Sequence, residues 1–352
     1  MALTHSERRH DIDWLRVIAI ALLIIYHTTI GFQPWGAFIG FIKNNESATW
    51  IWYPMAMLNM WRIPILFFVS GMGVCFSMRK RNLPTLLKER SRRILLPLAF
   101  GMLAIVPLHV FIFQTYYYQD LKYSIHQGHL WFLLNIFIYT IIVAPVVYLF
   151  RYKKISWFTS SIKRMNQPIT FIVAASLLII EALIVKPQLF TFYAFSFHGY
   201  VMGFIAFCLG FLLINLTGKF WKSFKIWKWV YLLIASILFL VRMVKFNMEA
   251  PLPLMALESI SWIFAVLGFF YCFFNRPSQT LNYLKTAAYP IYIIHMIVQY
   301  GMSAWLFPLD LSATTKLLII IPLNLIACLL IYELFIRRIA PVRFLMGNSF
   351  HS

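Results

Sequence analysis

The sequence is short of charge, and above all of negative charge. Of its 352 residues 12% are charged, and Asp and Glu together number 11, against 61% hydrophobic residues. A chain with so little charged surface has nothing from which to build a separate water-facing domain. Cysteine is scarce too. Cys75, Cys208, Cys272 and Cys328 each sit inside an apolar run, which excludes a disulfide framework and a thiolate metal site and leaves them as small packing residues. No internal repeat is visible, and no two-fold hydropathy pattern or pair of interrupted helices of the kind transporters use. The apolar run after Arg8 and Arg9 lacks a small-residue cleavage site and is long for a leader, so it reads as a retained span.

What the chain has is apolar runs of about twenty residues along its whole length, each enough to cross a bilayer as a helix. They predict an all-α polytopic membrane protein, one integral domain over 1–352, with about ten transmembrane helices at 14–33, 57–78, 94–117, 129–150, 169–186, 200–216, 229–246, 256–275, 288–306 and 317–336. The aromatic segment 35–56 reads as interfacial or re-entrant, and 151–168 and 217–228 as inner-surface connectors. The net charge of +20 raises nucleic acid as a partner, but its distribution argues against one. Twenty-three of the 31 basic residues fall in segments that share one side, and the outer loops hold Lys43 and Lys122. That asymmetry predicts both termini in the cytoplasm and explains the charge as topology. Membrane lipids are the expected neighbours; "TGKFWKSFKIWK" interleaves Lys with Phe and Trp, as an interfacial stretch does.

Against this background the buried polar residues stand out, because each is costly in hydrocarbon unless it has a task or a partner. "DIDWLRVIAIALLIIYH" places Arg16 and His27 eleven residues apart, close to three turns, so both project from one helix face about 16 Å apart. Asp13 precedes Arg16 by three and can pair with it. Taken singly, Arg16 could snorkel to phosphates and His27 could fill a helix–helix hydrogen bond. In "RKRNLPTLLKERSRR", Arg90 and Arg93 are spaced i, i+3 on one face, and arginine forks suit phosphates. In "QGHLWFLLNIFIY" the aromatic belt explains Trp131 but not His129. In "AAYPIYIIHMIVQY", Tyr292 and His295 are again i, i+3. Arg62, Glu181, Arg242 and Glu258 remain as pore-lining candidates.

Several of these elements, in order, resemble the membrane-bound acyltransferase-3 family. "RVIAIALLIIYH" carries its basic residue, ten positions and a histidine (Arg16, His27). "FFVSGMG" is similar to its Ser-Gly element (Ser70, Gly71), "RSRR" to its Arg-x-x-Arg element (Arg90, Arg93), and "GHLWFL" and "YPIYIIH" to two later elements. "HDIDWLR" and "GHLWFL" look most like the subgroup with glucan-modifying succinyltransferases. The resemblance covers nearly the whole chain. It implies a multi-pass enzyme of the bacterial inner membrane that moves an acyl group, acetyl or succinyl, from cytoplasmic acyl-coenzyme A to a hydroxyl of a cell-envelope or secreted glycan on the outer face, with no metal. In that reading Arg90 and Arg93, with Ser70 and Gly71, hold the donor, and Arg16 joins them or stands beside His27 as a catalytic residue. His27 acts as base or acyl carrier, and His129, Trp131, Tyr292 and His295 serve the acceptor. The alternative from the residues alone is a proton-coupled exporter of a glycan or small molecule.

Overall fold

The computed structural model describes residues 8–152 and 165–348. The expected connector 151–168 lies mostly outside them. Among the described residues there are helices, tight turns and no strand. In chain order the main helices are α1 (His10–Ile30), α2 (Trp52–Lys80), α3 (Leu83–Tyr116), α4 (Trp131–Tyr152), α5 (Gln167–Val185), α6 (Phe197–Leu213), α7 (Gly218–Phe246), α8 (Leu252–Phe273), α9 (Gln279–Leu306), α10 (Ala313–Ile336) and α11 (Ala340–Leu345). Eight of them are long and apolar enough to cross a membrane: α1 to α5, α7, α8 and α10. Helix α6 is apolar but has 17 residues, and α9, with 28, carries Asn282, Lys285, His295 and Gln299 among its apolar positions.

Local chemistry sets the boundaries. Side chains of Asn82, Asn166, Ser196 and Ser312 accept the backbone N–H groups of Thr85, Ile169, Gly199 and Thr315, satisfying donors that a helix start leaves without partners. The first two starts also carry Pro84 and Pro168, whose missing N–H costs nothing there. Interior prolines have to be accommodated. Helix α3 widens into π-turns at Ser91–Leu95 and Gly101–Ile105, each just before a proline (Pro97, Pro107). Pro107 has no N–H for the carbonyl of Leu103, and the hydroxyl of Tyr123 donates to it instead (2.7 Å).

Two expected boundaries change. The segment 217–228 is not a connector: Gly218 already begins α7, so the Lys-spaced stretch is the first third of one continuous helix. The basic stretch 79–93 is helical as well, broken only at Arg81 and Asn82. The segment 35–56 forms short turns at Gly36–Ile39 and Thr49–Ile51 before α2 begins.

The chain divides into two compact units, with the division falling inside α1 and α2. The first comprises Met1–Ala19, Ile63–Phe76 and Leu149–Lys285; the second Ile20–Arg62, Ser77–Tyr148 and Thr286–Ser352. In the first unit, α7 and α8 form a hairpin and α5 packs against α8. The turn passes through Asn247 and Met248 in left-handed conformation. It is pinned by Arg242, whose Nε and Nη2 donate to both carboxylate oxygens of Glu258 (2.7 and 3.0 Å) and whose Nη1 donates to the Met248 carbonyl. In the same unit, Glu181 of α5 accepts from His198 Nδ1 (2.8 Å), and His198 Nε2 faces the Phe190 carbonyl (2.9 Å). In the second unit the buried guanidinium of Arg62 lies 4.0 Å over the Tyr26 ring. The four residues expected to line a pore therefore each have a side-chain partner within their own unit.

Candidate active site

The second unit gathers four histidines from four helices. His27 lies in the last turn of α1, whose carbonyls have no helical partners. The His27 carbonyl takes a hydrogen bond from Gln299 of α9 (2.7 Å), and Thr28 next to it takes one from Asn324 of α10 (2.9 Å). These bonds anchor the backbone that carries the imidazole. His27 Nδ1 is 3.0 Å from Nε2 of His295, and the rings stack with centroids 5.2 Å apart and planes 13° from parallel.

The proton positions follow from the partners. His295 Nδ1 is 2.6 Å from the Tyr292 carbonyl, which can only accept, so that nitrogen carries the hydrogen. Neutral His295 then offers a lone pair at Nε2, and His27 Nδ1 must donate to it. The lone pair of His27 is left on its Nε2, in a residue that is partly exposed while His295 is 0% exposed. A buried imidazole thus fixes the tautomer of an accessible one, leaving a nitrogen able to take a proton or attack a carbonyl.

His129 extends the series. Its ring stands edge-on to His295 at 4.9 Å, and its Nε2 donates to the Ile293 carbonyl (2.9 Å). Tyr292 closes the loop by donating from its hydroxyl to the His129 carbonyl (2.6 Å). Gly128 explains the "QG" before His129: it turns the chain into α4 with φ of +50°, which a side chain rarely adopts. His109 of α3 then meets His129 at 5.7 Å between ring centroids and Tyr300 at 5.0 Å. The sequence reading missed it, since it stands alone in "VPLHVF" with no polar neighbour to mark it.

Of the expected site residues, His27, His129, Tyr292 and His295 come together. Trp131 is buried, with its ring near Phe132 (6.4 Å). Arg90 and Arg93 lie in the same unit, but the π-turn at Ser91–Leu95 separates their directions. Arg90 Nη2 donates to Ser77 Oγ (2.7 Å), while Arg93 Nε lies 3.2 Å from Glu89, which also holds Arg81. The Arg93 side chain stays 56% exposed. Tyr289 has a buried hydroxyl without a hydrogen-bond partner, within electrostatic reach of Arg90.

The other three lie in the first unit. Arg16 pairs with Asp13 (3.6 Å), as the spacing suggests, and its Nη2 lies beside Gly73, where the missing side chain leaves room. Ser70 donates to the Leu66 carbonyl of its own helix (2.8 Å). A Cβ on Gly71 would stand 2.0 Å from the Phe207 carbonyl, and one on Gly210 would stand 2.0 Å from that of Phe68. The two glycines let α2 and α6 cross backbone to backbone, and that side of Gly71 has no room for a donor molecule. Among the described residues, no group of three or more His, Cys, Asp or Glu is arranged to hold a metal ion.

No curated protein and no solved structure matches the chain. The model of the acyltransferase-3 family, described as an acyltransferase domain, matches residues 9–333, and the chain belongs to that family of membrane O-acyltransferases.

Proposed function

We propose that the protein transfers an acyl group, acetyl or succinyl, from cytoplasmic acyl-coenzyme A to a hydroxyl of a cell-envelope or secreted glycan on the outer face of the bacterial inner membrane. Family membership supports acyl transfer to a hydroxyl. The observation that carries the mechanism is the His27–His295 pair, which leaves His27 Nε2 with its lone pair. In the step proposed, His27 Nε2 takes the proton as the acceptor oxygen attacks the thioester carbonyl. The carbon–sulfur bond breaks, the coenzyme A thiolate leaves, and the imidazolium returns the proton to it. While His27 is charged, its Nδ1–H stays on His295 Nε2, so the cation is held in a fixed orientation. A thioester is already activated, so the step needs no further energy source.

Arg90 and Arg93 are the residues of this unit suited to the donor's phosphates. Arg93 is exposed, and a guanidinium has donors beyond the one turned to Glu89. Tyr289 brings an uncommitted hydroxyl near them. In this reading His129 and Tyr292, next to the His27–His295 pair, serve the acceptor. Arg16, paired with Asp13, anchors the far end of the helix that carries His27. Gly71 belongs to the helix crossing, and Ser70 bonds the Leu66 carbonyl of its own helix. The exporter reading draws on buried ionisable residues, and of these Glu181 pairs with His198 and Arg242 with Glu258.

The test is transfer by purified protein in liposomes, with thioester on one side and glycan on the other, read by mass analysis of the glycan. His27→Ala is expected to lose activity by at least roughly 10²-fold while inserting normally, and Arg90→Ala with Arg93→Ala to raise the KM for the thioester. Normal transfer by the His27 variant ends the proposal. A trapped acyl adduct on His27 would replace the base mechanism by a covalent one.

A further inference from the structure

The first unit holds a cleft of about 480 Å³ where the start of α7 meets the end of α8. Lys225, Lys228, Tyr271, Phe273, Asn275 and Arg276 line it: three cations and no carboxylate. Lys225 and Arg276 are exposed, but Lys228 is 5% exposed. The Lys228 ammonium donates one hydrogen bond, to the Lys225 carbonyl (2.5 Å), and sits 5.4 to 5.8 Å from the ring centroids of Trp229, Phe269 and Phe273. Among the described residues no carboxylate forms an ion pair with Lys225, Lys228 or Arg276.

A buried ammonium with one carbonyl and three ring faces is under-compensated. The carboxylate beside the wall does not relieve it. Asp11 is gripped by Arg9 through two bonds (2.8 and 2.6 Å), and the Arg9 guanidinium stacks on Trp221 (3.8 Å) and faces Tyr271 (5.0 Å). That pair is neutral as a whole. The burial of Lys228 is built in by Gly268, where a Cβ would come within 2.7 Å of both Lys228 Cβ and Phe224. The close approach of α7 and α8 seats the lysine stem against α8 and leaves its charge to the cleft.

The surroundings bear on which kind of anion fits. Ile226, Trp229 and Phe273 beside the cleft are 72%, 56% and 60% exposed. Along α7 the exposed set continues through Leu233, Ile237, Leu240 and Val244, at three- and four-residue steps that place them on one face. A soluble anion would use the cations and ignore this apolar stripe. A phospholipid uses both, its phosphate in the basic cleft and its chains along α7, with Trp229 at the boundary between them. We propose that the cleft is a binding site for the headgroup phosphate of an anionic phospholipid, held by Lys225, Lys228 and Arg276.

The experiment counts lipids retained by the purified full-length protein, by native mass spectrometry, as phosphatidylglycerol is titrated into phosphatidylcholine nanodiscs. Wild type is expected to keep one phosphatidylglycerol in preference to phosphatidylcholine. Lys225→Gln with Arg276→Gln removes two exposed cations and leaves the buried lysine in place, so folding is not at stake. It is expected to weaken that retention about fivefold per cation removed, and adding Lys228→Gln to weaken it further. Equal retention by the double variant, or no preference between the two lipids, overturns the site. Release of the lipid by excess inorganic phosphate or ADP overturns the lipid assignment in favour of a soluble anion. Acyl transfer by the double variant, measured in detergent, is expected to be unchanged.

Discussion

The bond between His27 and His295 does two jobs that a single histidine cannot. It fixes which ring nitrogen of His27 keeps its lone pair, and it orients that nitrogen by stacking against a ring that is itself tied to the Tyr292 carbonyl. His295→Ala therefore leaves His27 free to take the wrong tautomer and rotamer. The expected result is a fall in kcat of roughly 10²-fold with little change in KM for either substrate. His295→Gln, whose side-chain oxygen can accept the same N–H, is expected to recover part of the loss. An unchanged kcat in the alanine variant would remove the positioning role. The one residue of the series that sequence reading did not find is His109. The others stood next to Gly, Trp, Pro or Tyr in short patterned stretches, whereas a histidine flanked by apolar residues looks like any core residue until a second ring is found against it.

At the scale of elements, glycine and proline decide what the apolar runs can do. Helices in lipid gain no hydrophobic energy from meeting, so close packing of small residues has to hold them. Gly71 and Gly210 supply it in the first unit by facing the backbone carbonyls of Phe207 and Phe68. Gly71→Ala inserts a methyl group 2.0 Å from a carbonyl oxygen, and the expected cost is about 1–3 kcal/mol. A lowered melting temperature in detergent would register it; an unchanged one would mean that the crossing is looser than described. Helix α3 uses its two interior prolines differently, relaxing into a π-turn before each, the first of which runs through the arginines of "RSRR". The i, i+3 spacing of Arg90 and Arg93 suggests one shared face because it assumes a regular helix. The wider turn separates them, so that one bonds Ser77 and the other Glu89.

Across the whole molecule the distribution of charge makes a claim about sidedness. If the basic segments mark the cytoplasmic side, the thioester must be presented there. In vesicles of known orientation, transfer to an external glycan is expected only with acyl-coenzyme A trapped on the side of the termini. Equal activity with the thioester on the opposite side would reverse the proposed orientation. The same molecule-wide view separates structural ionisable groups from working ones. Arg242 with Glu258 and Glu181 with His198 are buried and paired with each other, whereas His27 keeps an uncommitted nitrogen and Lys228 lacks a counter-charge.

The sequence by itself determined the helical membrane class, the family and most of the histidine set, because hydropathy, charge asymmetry and short spaced motifs are local properties that a linear chain records in full. The pairing of Asp13 with Arg16 was legible for the same reason. Only the tertiary structure decided which nitrogen of His27 is available, that His109 belongs to the series, that Gly71 meets a backbone and that Lys228 is buried without a carboxylate partner. Each of those depends on groups tens to hundreds of residues apart in the chain, brought to within a few ångströms by helix packing, and no periodicity along one helix encodes what its neighbour presents.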